Sequence, residues 1–357
     1  MSPFTKTIPA SWYYDPHIYE MERKSIFSSE WIYIGEENDF KNSGDYIKYE
    51  MAGYPLFLVK GEDNLIRGFH NVCIHRAAPL VSEKKGNLKN SSVTCRYHGW
   101  TYDLKGTLNH TPFLETSDVK KNCQGSLFEV KLAQFNGLIF INLNENPIDF
   151  NEFINPLDHE LNHAKYNFNE YTNYESMEHE GNFNWKTWQD GFQECYHCMT
   201  IHPIFNKNFQ LRKYNIENKD RYSVHSCERK DITSSFGEFE GLWLWHYPNL
   251  GLPCYQNCFY TLQVNPINSR KTKLSYRFRF KSHVNEIERK EFIKTIEKIT
   301  FEDIMICEQV QKNLEVGIYN EGILHPEREN GVEYFHSLIK KALADQNKGI
   351  HYGKNTI

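Results

Sequence analysis

The sequence predicts an α+β protein built from a small all-β domain followed by a domain of antiparallel sheet with flanking helices. Three observations carry this reading. The chain is 357 residues long, more than one core ordinarily fills. Residues 31–143 read as short strands separated by turn residues, with Gly53, Gly61, Gly86 and Gly106 as punctuation. After Asn146-Pro147 the pattern changes to helices mixed with longer strands. Boundaries are therefore expected near 31–148 for the first domain and 149–357 for the second, with residues 1–30 packing against the latter.

In the first part, strands are expected at 54–60, 91–94 and 137–143. In the second part, residues 185–200 read as a helix, several strands lie between 222 and 282, and a long helix covers roughly 285–316. The run 274–280 alternates, with Leu274, Tyr276, Phe278 and Phe280 on one face and Ser275, Arg277 and Arg279 between them. No period of 20–50 residues recurs, which excludes solenoids.

Composition narrows the function class. Hydrophobic residues make up 39%, aromatics 15% and charged residues 24%, the profile of a chain with a real core. A net charge of −5 without a long basic run gives no reason to expect nucleic acid or a membrane surface as partner. The first ten residues have no apolar stretch of signal-peptide length, so a cytoplasmic location is expected. The nine cysteines, an odd number, fit thiols that pack in the core or bind metal.

Two constellations point to metal chemistry. Cys73-Ile74-His75 and Cys95-Arg96-Tyr97-His98 place one Cys and one His on each of two tight loops. A Cys₂His₂ set also suits structural zinc, but Cys-x-His is too close for the usual zinc knuckle. Two loops each giving a thiolate and an imidazole suit a diiron cluster, one iron taking both sulfurs and the other both nitrogens.

The second constellation begins with His197 and His202. On a continuous helix, residues five apart point about 140° from each other, so both reach one ion only if the helix ends between them. Pro203 pushes His202 out of the helical region and supplies that ending. In the C-terminal helix, Phe292, Ile296, Ile299, Ile306, Val310 and Leu314 form an apolar stripe with Asp303 in its gap, while Glu302 falls off it by one residue. A carboxylate aimed inward is costly unless paired. Two histidines and a carboxylate are the facial set of non-haem iron(II) oxygenases.

The stretches Cys-Ile-His-Arg-Ala-Ala-Pro-Leu and Cys-Arg-Tyr-His-Gly-Trp-Thr-Tyr-Asp resemble the two cluster-binding loops of Rieske oxygenases. Rieske proteins of respiratory complexes carry a further cysteine in each loop, absent from both loops here. Residues 184–203 and 301–311 likewise resemble the catalytic-domain motifs of the oxygenase α subunits. The resemblance implies a 2Fe-2S cluster on Cys73, His75, Cys95 and His98, and a catalytic Fe(2+) on His197, His202 and Asp303. It gives Glu194 a bridging role to a cluster histidine of the neighbouring subunit, and implies a homotrimer. The run Glu194-Cys195-Tyr196-His197-Cys198 is most like the branch of choline monooxygenase and the carnitine and glycine-betaine oxygenases. One departure stands out, since Asp190-Gly191 replaces the Glu-Asn usual in the family and removes a side-chain amide near the iron.

These expectations combine into an oxygenase that uses O₂ to hydroxylate or N-demethylate a small quaternary-ammonium or N-methyl substrate. Aromatic ring hydroxylation is the alternative. A non-catalytic electron carrier fits less well, because a carrier needs only the first domain. Electrons are expected from a separate NAD(P)H-dependent reductase, since the chain has no Gly-x-Gly-x-x-Gly fingerprint. Trp243, Trp245 and Tyr247 alternate as core-facing residues of any strand would; as part of a site their ring faces suit a methylated cation, and a planar aromatic substrate would stack on them too.

Overall fold

The computed structural model describes residues 4–123, 125–230 and 241–345. Contacts divide the chain into two compact units, residues 27–150 and residues 1–26 together with 151–357.

The 27–150 unit is all-β apart from short helical turns. Its strands are β1 (Ile32–Glu36), β2 (Asp45–Met51), β3 (Tyr54–Lys60), β4 (Ile66–His70), β5 (Lys85–Asn87), β6 (Ser92–Thr94), β7 (Thr101–Asp103), β8 (Leu108–His110), β9 (Glu129–Phe135) and β10 (Leu138–Asn142). A seven-stranded antiparallel sheet runs β1-β10-β9-β4-β3-β2-β5, and β6-β7-β8 forms a second, three-stranded sheet. The expected strand at 54–60 is found as drawn, and those at 91–94 and 137–143 are each trimmed at the ends. Phe57, Val59, Phe69, Val93, Tyr102 and Leu108 close a core that also contains Cys73 and Cys95. Burying these side chains stabilises the unit by about 1.5–3 kcal/mol each and holds the two cysteine loops over one floor.

The other unit is organised on a seven-stranded antiparallel sheet of β11 (Tyr171–Gly181), β12 (Asn215–Lys219), β13 (Tyr222–Cys227), β14 (Gly241–His246), β15 (Leu250–Cys254), β16 (Cys258–Asn268) and β17 (Lys271–Lys281), ordered β11-β17-β16-β15-β14-β13-β12. The alternation read in 274–280 holds, with all four apolar residues buried. Arg279, on the opposite face, is buried as well, its guanidinium lying against the rings of Phe168, Tyr174 and Phe259. The aliphatic and planar parts of an arginine cover aromatic surface well, so the face is closed at Arg279, while Lys273, Arg277 and Lys281 beside it stay partly exposed.

Across the β17 face lies the long helix Glu286–Glu315, started by a capping box in which Asn285 and Glu288 satisfy each other's backbone N–H groups. Phe292 packs edge-on against Tyr255, Phe278 and Phe280. The buried side of this helix is Phe292, Ile296, Thr300, Ile304, Cys307, Gln311 and Leu314. That corrects the sequence reading, because Ile306 and Val310 are exposed and face a cavity instead of packed core. Thr300 and Gln311 replace apolar residues in the buried row because each has a buried partner, the Tyr276 hydroxyl and the Asn184 N–H. The helix Trp185–Phe192 packs beside it, joined where Cys307 donates to the Thr187 carbonyl. Residues near the N-terminus belong to the same unit, with Ile8, Ala10 and Tyr13 packed on Leu314. Glu22 and Lys186, both fully buried, pair at 2.5 Å, and Trp185 Nε1 donates to the same carboxylate. Among the described residues no helix is long and apolar enough to cross a membrane.

Candidate metal centres and active-site cavity

The two Cys/His loops are folded alike. The Cys73 carbonyl accepts from Ala77 N–H and the Cys73 N–H donates to the Ala78 carbonyl; Cys95 does the same with Gly99 and Trp100. Closing these turns requires left-handed backbone at Ala77 (φ 56°) and Gly99 (φ 74°). Glycine takes that conformation freely, whereas alanine accepts a cost of roughly 1 kcal/mol. Asn71 pins the first loop, its side chain accepting from Leu80 and Val81 N–H and donating to the Val81 carbonyl.

The donor set of these loops is asymmetric. Both thiols are buried and free of disulfide, while His75 and His98 lie exposed at the loop tips with ring centroids 4.7 Å apart. His75 stacks on Trp100 at 4.5 Å, which fixes its ring plane. Burial pushes the Cys73 thiol up, against the Tyr102 hydroxyl 3.1 Å away that favours the thiolate. Two sulfurs inside and two imidazoles outside fit a 2Fe-2S cluster with one iron on each pair.

The second centre lies in the other unit. The helix expected over 185–200 stops at Phe192, and His197 instead caps a single turn, Cys198–Ile201. His202 ends that turn in a non-helical conformation (φ −114°, ψ 82°) before Pro203, as the proline requires. The break therefore comes earlier than expected and serves both imidazoles. Their Nε2 atoms stand 3.2 Å apart, and Asp303 Oδ1 lies 3.0 Å from His202 Nε2 and 3.6 Å from His197 Nε2. Neighbouring donors held at about 2.1 Å in an octahedral site stand roughly 3 Å apart, so this triangle fits one divalent iron.

Each imidazole is steadied from behind by a carboxylate. His197 Nδ1 meets Glu194, and His202 Nδ1 lies 2.9 Å from Glu302 Oε2. Burial works against charging His202, but Asp303 and Glu302 outweigh it and its pKa is raised; Glu194 and Asp303 do the same for His197. Fixing the proton on Nδ1 leaves Nε2 free for a metal. Glu302, set aside in the sequence because it leaves the apolar stripe, is thus part of the site. The signal was its position beside Asp303, one helical step round, where it meets the far side of an imidazole that Asp303 meets from the front.

Glu194 also accepts from the backbone N–H of Tyr196 and His197. Cys195 and Cys198 are joined as a disulfide, with Cα atoms 5.0 Å apart. This differs from the expectation of free thiols, and follows from a turn that brings two sulfurs at Cys-x-x-Cys spacing together. Asp190 accepts from the Tyr13 hydroxyl at 2.6 Å and lies 2.9 Å from His336 Nε2. Sequence reading missed this Tyr13–Asp190–His336 group, whose members are far apart in the chain. At Gly191 an added Cβ would meet nothing within 4 Å, so the missing amide leaves open space.

A cavity of about 600 Å³ opens beside the triad. Its aromatic wall includes Phe205, Tyr214, Trp243 and Tyr255, with Trp243 lying 5.3–6.1 Å from the other rings. Of the three aromatics expected to face substrate, only Trp243 lines this cavity. Trp245 is instead packed on Tyr247 and on Phe335 of the C-terminal helix Asn330–Asp345, and Tyr247 lies beyond the end of the strand at His246. His225 at the wall is fully buried, hydrogen-bonded to Ser223 and Tyr214, and burial lowers its pKa to about 3.

Comparison with known proteins identifies both domains. Residues 30–133 match the Rieske [2Fe-2S] domain, and residues 168–345 match the ring hydroxylating alpha subunit catalytic domain. The carnitine monooxygenase oxygenase subunit of Escherichia coli K12 is 28% identical, over 95% of this chain and 94% of its own. The chloroplastic choline monooxygenase of Arabidopsis thaliana is 24% identical, over 93% and 82% respectively. A solved quaternary ammonium Rieske monooxygenase superposes with a TM-score of 0.83 at 24% identity, covering 94% of this chain and 95% of that one. With a Rieske domain and a ring-hydroxylating catalytic domain in one chain, and with them a 2Fe-2S cluster and a mononuclear iron as cofactors, the protein belongs to the Rieske non-haem iron oxygenase α subunits.

Proposed function

We propose that this subunit is a monooxygenase that hydroxylates or N-demethylates a small quaternary-ammonium or N-methyl compound. The observation that carries the reading is the aromatic cavity placed against the His197–His202–Asp303 triangle. A methylated ammonium group donates no hydrogen bond and is held by ring faces. The relatives that act on carnitine and choline support the same assignment.

In this proposal Cys73, His75, Cys95 and His98 hold the cluster, and His197, His202 and Asp303 hold the iron. When bound, these groups supply electron transfer and oxygen activation. The chain's own residues do the rest. Glu194 and Glu302 fix the imidazoles, and the wall of Phe205, Tyr214, Trp243 and Tyr255 orients a C–H bond beside nitrogen toward the triad while excluding water. One oxygen atom enters that bond and the other leaves as water, with the electron pair coming from NAD(P)H through a separate reductase and the protons from solvent. For an N-methyl carbon the hydroxylated product falls to formaldehyde and the demethylated amine.

Glu194 also reaches a cluster histidine of the neighbouring subunit in a homotrimer, and the enzyme works in the cytoplasm. The relative whose structure addresses inter-subunit electron transfer supports this arrangement. The test is oxygen uptake and formaldehyde release with a surrogate reductase. At least one of choline, carnitine and glycine betaine should stimulate oxygen uptake, with formaldehyde released where an N-methyl carbon is the one attacked, and stimulation by benzoate-like or biphenyl-like acids alone would move the assignment to ring hydroxylation.

A further inference from the structure

Two sulfurs stand beside the metal position without a part in the reaction proposed above. Cys195 and Cys198, on either side of His197, are joined as a disulfide, and both line the cavity although each is buried. Cys198 Sγ lies 3.9 Å from His197 Nε2, the nitrogen aimed at the metal position, and it forms with His197 and His202 a group whose donor atoms all lie within 4.8 Å of one another. Nitrogen and sulfur donors held at about 2.1 and 2.3 Å from one ion at the tetrahedral angle stand roughly 3.6 Å apart. The sulfur is therefore close to a ligand position that His197, His202 and Asp303 leave open. Cys307, a further thiol on the cavity wall, is already donating to the Thr187 carbonyl.

The oxidation state of that sulfur decides whether it can ligate. A thiolate is the metal ligand, and a sulfur bonded to Cys195 is not one. With the disulfide closed, two imidazoles and a carboxylate leave open positions, which is the facial set that suits ferrous iron. With Cys198 freed, a soft donor is added, and soft thiolates select zinc over iron. Four protein ligands also close the site, the arrangement of structural zinc and not of a catalytic metal.

Resting on the iron ligands proposed above, we propose that the Cys195–Cys198 disulfide is a thiol switch on the choice of metal. Closed, it keeps the site open for ferrous iron; reduced, it releases Cys198 to join His197, His202 and Asp303 as a fourth ligand, and the site takes zinc. The reductant is a dithiol, which reaches the sulfurs through the cavity they line. By exchange it breaks the S–S bond, passes two electrons and two protons to the pair, and leaves as its own disulfide. Zinc then displaces the proton of the Cys198 thiol, while Cys195 remains a thiol and ligates nothing.

The experiment uses the full chain with its cluster loaded and compares wild type, Cys195→Ser and Cys198→Ser, each before and after treatment with dithiothreitol that is then removed anaerobically. Alkylation followed by mass spectrometry counts free thiols, and equilibrium dialysis against zinc or ferrous iron gives the affinity for metal beyond the cluster's own iron. Cys195 and Cys198 should be blocked in untreated wild type and free after reduction. Reduction should raise zinc affinity at least about tenfold, a difference of about 1.4 kcal/mol, and iron affinity much less. Cys195→Ser should bind zinc that tightly without reductant, and Cys198→Ser should keep the oxidised wild-type value in both states. Both variants lose the same disulfide, so a merely loosened turn would shift them alike. Equal zinc affinities in the two variants, or free thiols in untreated wild type, would overturn the switch and leave the iron ligands standing. A wild type that binds neither metal outside the cluster in either state would defeat the ligand assignment itself, and this inference with it.

Discussion

Replacing Glu302 with alanine isolates what the carboxylate behind His202, a proposed iron ligand, contributes. Its Oε2 lies 2.9 Å from His202 Nδ1, and the His202 side chain is only 4% exposed. A charge-assisted hydrogen bond of this kind, away from bulk water, is worth about 1.5–3 kcal/mol. Without it the proton on His202 is free to move to Nε2, where it competes with the metal, and the ring loses its orientation. The iron affinity should therefore fall roughly 10–100-fold, the range found when such carboxylates are removed from histidine ligands. Glu302→Gln keeps an acceptor oxygen in the same place and should recover much of the loss. The assay is anaerobic competition for ferrous iron against a chromophoric chelator, on protein whose visible cluster spectrum is unchanged. An alanine variant that binds iron as tightly as the wild type would show that Glu302 does not support His202, and the reading of the carboxylate as an orienting group would fall.

Further outcomes follow from other parts of the molecule. Cys95→Ser should abolish the brown colour of the purified protein, because a serine oxygen replaces a cluster thiolate poorly; a colourless wild type with bound zinc would refute the cluster assignment. At saturating ferrous iron, Glu194→Ala should retain both centres yet reoxidise its cluster far more slowly in a single turnover, and rates equal to wild type would reject the bridge. Glu22→Gln leaves the buried Lys186 ammonium without its counter-ion and should destabilise the larger unit by about 3–5 kcal/mol, read as a fall in Tm of about 10 °C. A Tm unchanged from wild type would mean that the pair at 2.5 Å contributes nothing net.

Much of the site was legible because its chemistry is written locally. Cys73 with His75 and Cys95 with His98 each fit on one turn, so their spacing alone fixes which atoms come together. The His197–Pro203 stretch carried its own break signal, and the pre-proline rule anticipated the conformation of His202. It did not anticipate the earlier break after Phe192, although Gly191, a weak helix former, stands one residue before that end. The helical period placed Asp303 inward but misjudged its surroundings. Amphipathic patterning separates apolar from polar positions, and cannot tell an apolar residue that packs in core from one, such as Ile306 or Val310, that lines a cavity.

What was not legible depended on long-range pairing. Tyr13, Asp190 and His336 meet only because the N-terminal segment, the helix Trp185–Phe192 and the C-terminal helix converge. The pairing of Glu22 with Lys186 has the same origin, and two isolated charges in a sequence carry no mark of it. Trp243 and Trp245 do share one strand, but that strand ends at His246 and leaves Tyr247 in the following turn, and even within the strand one face crosses from a cavity at Trp243 to a helix contact at Trp245. Periodicity gives the face, and the tertiary neighbours decide its use.

The central claim is that one chain holds two separate iron centres, one of them on His197, His202 and Asp303. Total iron and acid-labile sulfide, measured with the visible spectrum on wild type and on Asp303→Ala, tests it most directly. The variant should keep its sulfide and cluster spectrum, lose the single non-cluster iron and lose turnover, since only the carboxylate of the facial set is removed. An Asp303→Ala protein with the wild-type iron content and full activity would contradict it.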